Sequence, residues 1–280
     1  MDLRFLLIIS GIIVSLAILS IIITIDVKLK VKKGIAILRD LSFDKTPLYS
    51  IEHSLASCPK PVKIYLEHAL ALQNKMIHFA SLKQIGEFRT SIDGEWSPMR
   101  ADGHFLAMKP GFIWKSRFGS GFIPTKTAWL ELLDGKGFGS VKFLGLFTIL
   151  SPSGYEADIS LLSRYLMESI WFPTALLPSN YISWKEIDDL NAIATLSYGT
   201  QHVSAQFTFN EHGDIAYITS HDKYRDFKGS FEKEQFTLHC KNYQIFQHIR
   251  IPSEVEFIWN LEGKDFCYGK FKITSIKYKF

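Results

Sequence analysis

The chain has 280 residues, 47% hydrophobic and 14% aromatic, with 32 Lys/Arg against 28 Asp/Glu for a net charge of +4, and 3 Cys. This composition excludes a disordered chain, a collagen-like repeat and a disulfide-stapled mini-protein. A single long apolar run also excludes a polytopic membrane protein, which leaves one or two globular domains behind one anchor.

That run is Phe5 to Ile25, which carries no charge. At about 1.5 Å rise per residue it reaches about 30 Å, the thickness of a hydrocarbon core. A cleaved signal peptide needs a shorter apolar core and small residues before the cut, but Ile21-Ile22-Ile23-Thr24-Ile25 stands there. The expectation is one uncleaved transmembrane helix over 1–27, with the lipid bilayer as its partner. Lys28, Lys30, Lys32, Lys33 and Arg39 follow the run and Arg4 precedes it, so the positive-inside rule favours a cytoplasmic domain. The same lysines suit an anionic lipid surface. Cys58, Cys240 and Cys267 are too few and too widely spaced to read as a disulfide framework.

Residues 28–60 read as a connector with a short helix on Leu48, Ile51 and Leu55, stopped by Ser57-Cys58-Pro59-Lys60-Pro61. Pro61 opens a second helix with Val62, Ile64-Tyr65, Ala69 and Leu72, ending near Asn74. After Met76 the chain turns to runs rich in Phe, Trp, Tyr, Ile and Thr. Asp93-Gly94, Asp134-Gly135, Glu211 to Asp214 and Glu262 to Lys264 separate them as hairpin loops do. The runs fall at 84–92, 104–118, 125–133, 138–149, 191–199, 202–210, 214–222, 235–249, 254–261 and 266–278. Gln201 to Asn210 alternates, with Val203, Ala205, Phe207 and Phe209 on one face. One helix interrupts the strands from about Glu156 to Trp171, on Leu161, Leu162, Tyr165, Leu166 and Ile170, and Pro173 and Pro178 end it. The fold class is α+β. A curved antiparallel sheet of about ten strands or more carries helices on its concave side, as a single domain over 61–280.

The run Arg164-Tyr165-Leu166-Met167-Glu168-Ser169-Ile170-Trp171-Phe172-Pro173-Thr174-Ala175-Leu176-Leu177-Pro178 resembles the hallmark of an uncharacterised prokaryotic family of small membrane-anchored proteins. Gly86 to Arg89, Trp96-Ser97-Pro98, Gly111 to Trp114, Asp134 to Gly137 and Ile251 to Val255 fit the same pattern in order. Departures fall at Asp102-Gly103-His104, where the pattern has a Gln, and at Tyr268-Gly269-Lys270, where it has an Arg-Gly pair. The resemblance implies a half-barrel similar to lipoprotein carriers (LolA/LolB-like), in which an antiparallel sheet curls round an apolar cavity plugged by helices. It also implies a bacterial inner (cytoplasmic) membrane as the location. Because such folds are mostly met on the envelope side, the side of the membrane stays open. No activity follows from it.

Arg164 and Glu168 stand i, i+4 on the helix and can pair. If exposed, the pair is worth a few tenths of a kcal/mol. Under the sheet, breaking it strands a charge at a cost of roughly 3–5 kcal/mol. It is either a polar anchor for a ligand head group or an ion pair fixing helix to sheet, the commoner role. Trp171, Phe172, Leu176 and Leu177 either gate a cavity or belong to the core. The glycine series from Gly135 to Gly139 lacks a following helix, so it is a hairpin turn rather than a phosphate loop. Folding 202–210 against 214–222 brings His202 near Asp222 and sends His221 to the other face, too few ligands for zinc. Asp188-Asp189 are adjacent and point apart, as a solvated strand end. With no nucleophile elbow and no basic stripe interleaved with aromatics, no catalytic residue, metal, cofactor or nucleic-acid partner is assigned.

The sequence therefore points to a membrane-tethered, non-catalytic binding module for a lipid or other hydrophobic ligand. Arg164 and Glu168 are its polar contacts, and Tyr165, Trp171 and Phe172 its apolar lining. The alternatives are a membrane-bound enzyme acting on a lipid-like substrate, with Arg164 and Glu168 as orienting or acid/base groups, and a structural partner in an envelope complex.

Overall fold

A computed structural model of the protein describes residues 3–42, 50–121, 124–227 and 230–280. Leu48 of the expected connector helix lies outside the described residues. The chain opens with helix α1 (Leu3–Leu41), followed by α2 (Ile51–Ala56) and α3 (Lys60–Leu70). Ser50 caps α2 by accepting from the His53 amide, and Pro61 sits in the first turn of α3, where its missing N–H costs nothing.

The single membrane span expected at Phe5 to Ile25 is not found as such. Among the described residues no helix is long and apolar enough to cross a membrane. The run is helical, but some of its side chains lie outside the described residues, and α1 continues well past it as one helix with a different job. From Val31 onward α1 is amphipathic. Val31 and Leu38 are buried with Phe79, Leu106 and Ile113 in a small cluster of their own. Gly34 lets the helix come down on Ile113, whose side chain fills the place a Cβ would take.

Six strands follow as one meander: β1 (Phe79–Phe88), β2 (Ser97–Leu106), β3 (Phe112–Phe118), β4 (Lys126–Leu133), β5 (Lys136–Phe143) and β6 (Phe147–Leu150). Helix α4 (Tyr155–Glu168) then leads through 3-10 turns at Ser169–Trp171 and Pro173–Leu176 to the second meander. That comprises β7 (Ile182–Asp188), β8 (Asn191–Tyr198), β9 (Gln201–Phe209), β10 (Ile215–Phe227), β11 (Ser230–Phe246), β12 (Ile249–Leu261) and β13 (Lys264–Lys279). β13 returns to pair with β1, giving one sheet of 13 antiparallel strands in the order β6-β5-β4-β3-β2-β1-β13-β12-β11-β10-β9-β8-β7. The segment holding α4 thus carries the chain from one edge of the sheet to the other. The α+β half-barrel read from the sequence stands, with more strands than ten. The run at 104–118 proves to be the end of β2 plus β3, 138–149 divides into β5 and β6, and β7 had no counterpart.

The inner face is set by alternation. Met99, Ala101 and Phe105 on β2, and Phe112, Trp114 and Phe118 on β3, join one core with Leu162, Tyr165, Leu166 and Ile170 of α4. The partner residues on those strands, Arg100, Asp102, His104 and Lys115, lie on the outer face, where α1 also packs. Asp134 and Gly135 turn β4 into β5 with φ of 46° and 74°, the left-handed pair that a two-residue hairpin demands. Gly137 has a separate reason: a Cβ there would lie 2.5 Å from the Ala157 carbonyl oxygen, because α4 starts directly on β5. Asp158 seals that contact by accepting from the Gly137 amide at 2.7 Å and pairing with Lys136 at 3.0 Å.

Candidate functional site

α4 lays one face on the inner wall of the sheet and brings two charged residues with it. Glu168 is fully buried, and Arg164 Nε donates to its Oε1 at 2.8 Å. The guanidinium lies 4.5 Å from the Trp114 ring centroid and 5.7 Å from that of Phe112, a cation held over aromatic faces. Burial raises the Glu168 carboxyl above its usual value, against the opposing pull of Arg164 and Lys223.

Lys223 is the third member. It is buried on β10, donates to the Ser160 carbonyl at 3.2 Å and lies 5.1 Å from the Phe236 ring. Burial first, then Arg164, brings its ammonium down to about 7, while Glu168 pulls the other way. A β-bulge puts it there. Ser220 pairs with Phe236 and Lys223 with Glu234, so two residues of β10 oppose one of β11, and Lys223 turns inward where strict alternation would send it out. A lone lysine in a strand gave the sequence no handle on this.

The wall beside the ion pair is polar as well. Trp114 Nε1 donates to Gln84 Oε1 at 2.9 Å, and Gln84 and Ser116 flank Ala101 in one row across β1, β2 and β3. Gln84 Nε2, Ser116 Oγ and Glu168 Oε2 are buried without a hydrogen-bond partner among the described residues. Each such atom costs about 1–3 kcal/mol unless something pairs with it. Half-buried Phe88, Leu130, Val141, Tyr224, Trp259 and Tyr268 ring the core nearby. Phe88 lies 5.1 Å from Phe118 and 5.5 Å from Tyr268, and Tyr268 lies 5.9 Å from Phe236. Phe88, Phe118, Tyr224, Trp259 and Tyr268 belong to the ends of β1, β3, β10 and β12 and the start of β13, so they form an aromatic rim at the end of the half-barrel where those hairpins turn.

Arg164 and Glu168 are thus brought together, and Tyr165, Trp171 and Phe172 lie elsewhere in the same core. Tyr165 donates to the Leu106 carbonyl at 2.8 Å, and Phe172 packs 5.0 Å from Phe105. Trp171 is fully buried, 6.5 Å from Phe105. All three are buried members of the main core. His202 bonds Ser197 rather than Asp222, which accepts from the Ser204 amide and pairs with Lys233. Asp188 holds Asn191, and Asp189 holds Lys60, both at the surface.

A curved antiparallel sheet, closed on its inner face by a helix that buries an ion pair, defines an α+β half-barrel with a polar set inside its apolar wall. The chain belongs to the Family of unknown function (DUF6544), whose model matches residues 50–271. No curated protein sequence matches it. Among solved structures it is similar to a candidate outer membrane lipoprotein-sorting domain from Vibrio parahaemolyticus, at 10% identity and a TM-score of 0.43 over 78% of this chain and 92% of that one. It is also similar to a LolA superfamily protein from Nitrosomonas europaea, at 8% identity and a TM-score of 0.43 over 80% and 95%. A DUF1329 family protein from Desulfovibrio piger gives 10% identity and a TM-score of 0.42 over 79% and 94%.

Proposed function

We propose that the protein is a membrane-tethered binding module for an amphiphile. The ligand's polar head meets Arg164 and Glu168, and its apolar part lies along the aromatic rim of Phe88, Trp259 and Tyr268. One observation carries this reading: the buried ion pair on α4 leaves Glu168 Oε2 without a partner, and Gln84 Nε2 and Ser116 Oγ on the sheet's inner wall are likewise without partners among the described residues. A head group with donors and acceptors relieves all three, which plain structural use of the pair leaves in deficit.

The tether is supported by α1. Its apolar residues Phe5, Leu7, Ile8, Val14, Ile18, Ile21 and Ile22 are all more than half exposed. So many apolar side chains left in the open along one helix call for an apolar surrounding. The C-terminal half of α1 runs back along β3, with Leu38 near Gly111, Gly34 on Ile113 and Lys28 beside Lys115. The Phe5 to Ile25 run therefore leaves the domain past the end of β3, the end that carries the aromatic rim. A ligand entering from the bilayer would meet the rim first.

The test is binding of a fluorescent fatty-acid-like probe to the full chain in micelles of a non-ionic detergent. Arg164→Met/Glu168→Leu keeps volume and removes both charges. The expected result is a folded variant whose affinity for the probe falls at least tenfold. Equal affinity in the two proteins removes the head-group role. A second reading, an enzyme acting on a lipid-like substrate, is favoured by the convergence of Glu168, pushed up, and Lys223, brought down to about 7, two titratable groups of one site. It predicts a changed product from bound lipid, and recovery of unaltered lipid only would exclude it.

A further inference from the structure

The outer face of the sheet holds a second set of charges that the inner-face reading does not use. β2 and β3 set Arg100 directly opposite Arg117, and both are exposed. Like charges facing each other across an antiparallel pair destabilise it. Three of the nearby carboxylates are engaged, Glu87 with Lys270 at 3.4 Å, Glu254 with Lys272 at 2.9 Å and Glu256 with Lys241 at 2.8 Å, and Asp102 stands opposite Lys115. Among the described residues no acidic side chain pairs with either arginine. Lys115 follows on the same face opposite Asp102, held below the usual lysine range by burial first and then by Lys28 and Arg117, with Asp102 pulling the other way.

The two guanidinium groups line an open groove of about 1180 Å³ over the outer face of the sheet. Its wall also holds Ile85, 45% exposed, and Trp96, whose ring lies 4.6 Å from the Lys270 ammonium and 4.6 Å from the Arg89 guanidinium. Five cations, Arg100, Arg117, Lys241, Lys270 and Lys272, face three carboxylates there. The surplus is the arginine pair itself. Arginine forks match phosphate oxygens two at a time, which a surface lysine does not do.

We propose that this groove binds a phosphate group between Arg100 and Arg117, with the adjoining apolar part of the ligand against Ile85 and Trp96. The phosphate belongs either to a phospholipid head group or to a soluble phosphate ester. The anion would relieve a cross-strand repulsion that the protein otherwise carries on an open surface.

The experiment uses the full chain in non-ionic micelles, with thermal unfolding followed by intrinsic fluorescence. It is titrated with glycerol 3-phosphate in one arm and dihexanoyl phosphatidylglycerol in the other, against sodium chloride of matched ionic strength. At least one probe is expected to raise the melting temperature saturably, and Arg100→Gln/Arg117→Gln to weaken its midpoint tenfold or more. The ligand-free double variant is expected to melt at or above the wild type, because the repulsion is gone. Lys75→Gln/Lys185→Gln, an equal loss of charge elsewhere, keeps the response. Tighter binding of the lipid by tenfold or more assigns the head group as source, and equal or tighter binding of the ester assigns the soluble molecule. The proposal is overturned if neither probe exceeds the salt control, if the arginine variant responds like the wild type, or if that variant melts well below it without ligand.

Discussion

Replacing Arg164 by Met keeps most of the side chain's volume under the sheet and removes the partner of a fully buried carboxylate. Glu168 Oε1 then joins Oε2, which already has no partner among the described residues. Stranding a buried charge in this way costs roughly 3–5 kcal/mol. At about 2–4 °C per kcal/mol for a domain of this size, the melting temperature should fall by about 6–20 °C near neutral pH. The loss should depend on pH. Burial already raises the folded carboxyl of Glu168, so its contribution to stability is complete below the usual carboxylate range and lost as pH rises through the raised folded value. Arg164 works against that rise, and without it the folded value climbs further and the loss at neutral pH deepens. The deficit of Arg164→Met should therefore shrink as the pH falls toward 4 to 5. Arg164→Met/Glu168→Leu should recover most of it at every pH, since no charge remains to strand. Differential scanning fluorimetry of the full chain in non-ionic micelles, from pH 4 to 8, reads all three. A deficit independent of pH, or a double variant no more stable than the single, would refute the buried-charge reasoning.

Three further outcomes follow from neighbouring contacts. Lys223 has its folded value brought down to about 7, so the unfolded chain holds more protons between there and its usual value, and wild-type stability gains from that group as pH rises. Lys223→Met should consequently lose ground against the wild type between pH 7 and 10 in melting series; a constant difference would mean the ammonium is hydrated. Gly137→Ala drives a Cβ against the Ala157 main chain, which cannot rotate away, so it should destabilise by about 1–3 kcal/mol in denaturant unfolding. A neutral effect would show that α4 can lift off β5. Arg250 grips Asp214 with both Nη atoms and lies 4.7 Å over Tyr243, so Arg250→Lys, which keeps the charge, should still cost about 1–2 kcal/mol on melting through loss of the fork.

What the sequence made legible were the features with local chemistry. Asp134-Gly135 declares its hairpin because the turn needs two left-handed residues, and β9 shows itself through the alternation of Val203, Ala205, Phe207 and Phe209. Arg164 and Glu168 follow from helical spacing alone. β2 stayed hidden although Met99, Ala101, Gly103 and Phe105 alternate with Pro98, Arg100, Asp102 and His104, because two of its inner residues are small. Phe105 and Leu82 crowd the place where a Cβ on Gly103 would go. β7 is an edge strand whose second half is exposed, so no apolar face marks it. The length of α1 was masked by lysines that sit on the solvent side of the helix while Val31 and Leu38 bury the other. Lys223 reaches the site only through a bulge, a property of strand pairing rather than of any short stretch of residues. Tyr165, Trp171 and Phe172 of the hallmark segment lie in the core, each 2% exposed or less.

Binding of an amphiphile's head at Arg164 and Glu168, on the inner wall of the half-barrel, is proposed from the buried ion pair and its unpartnered neighbours. Native mass spectrometry of the full chain, released from non-ionic micelles after extended exchange, tests it most directly. Head-group binding predicts a defined adduct at one per chain in the wild type, retained through exchange and absent from Arg164→Met/Glu168→Leu. A wild-type chain without adduct, equal in mass to the polypeptide and still folded, would contradict it and leave the ion pair as a fixture between α4 and the sheet.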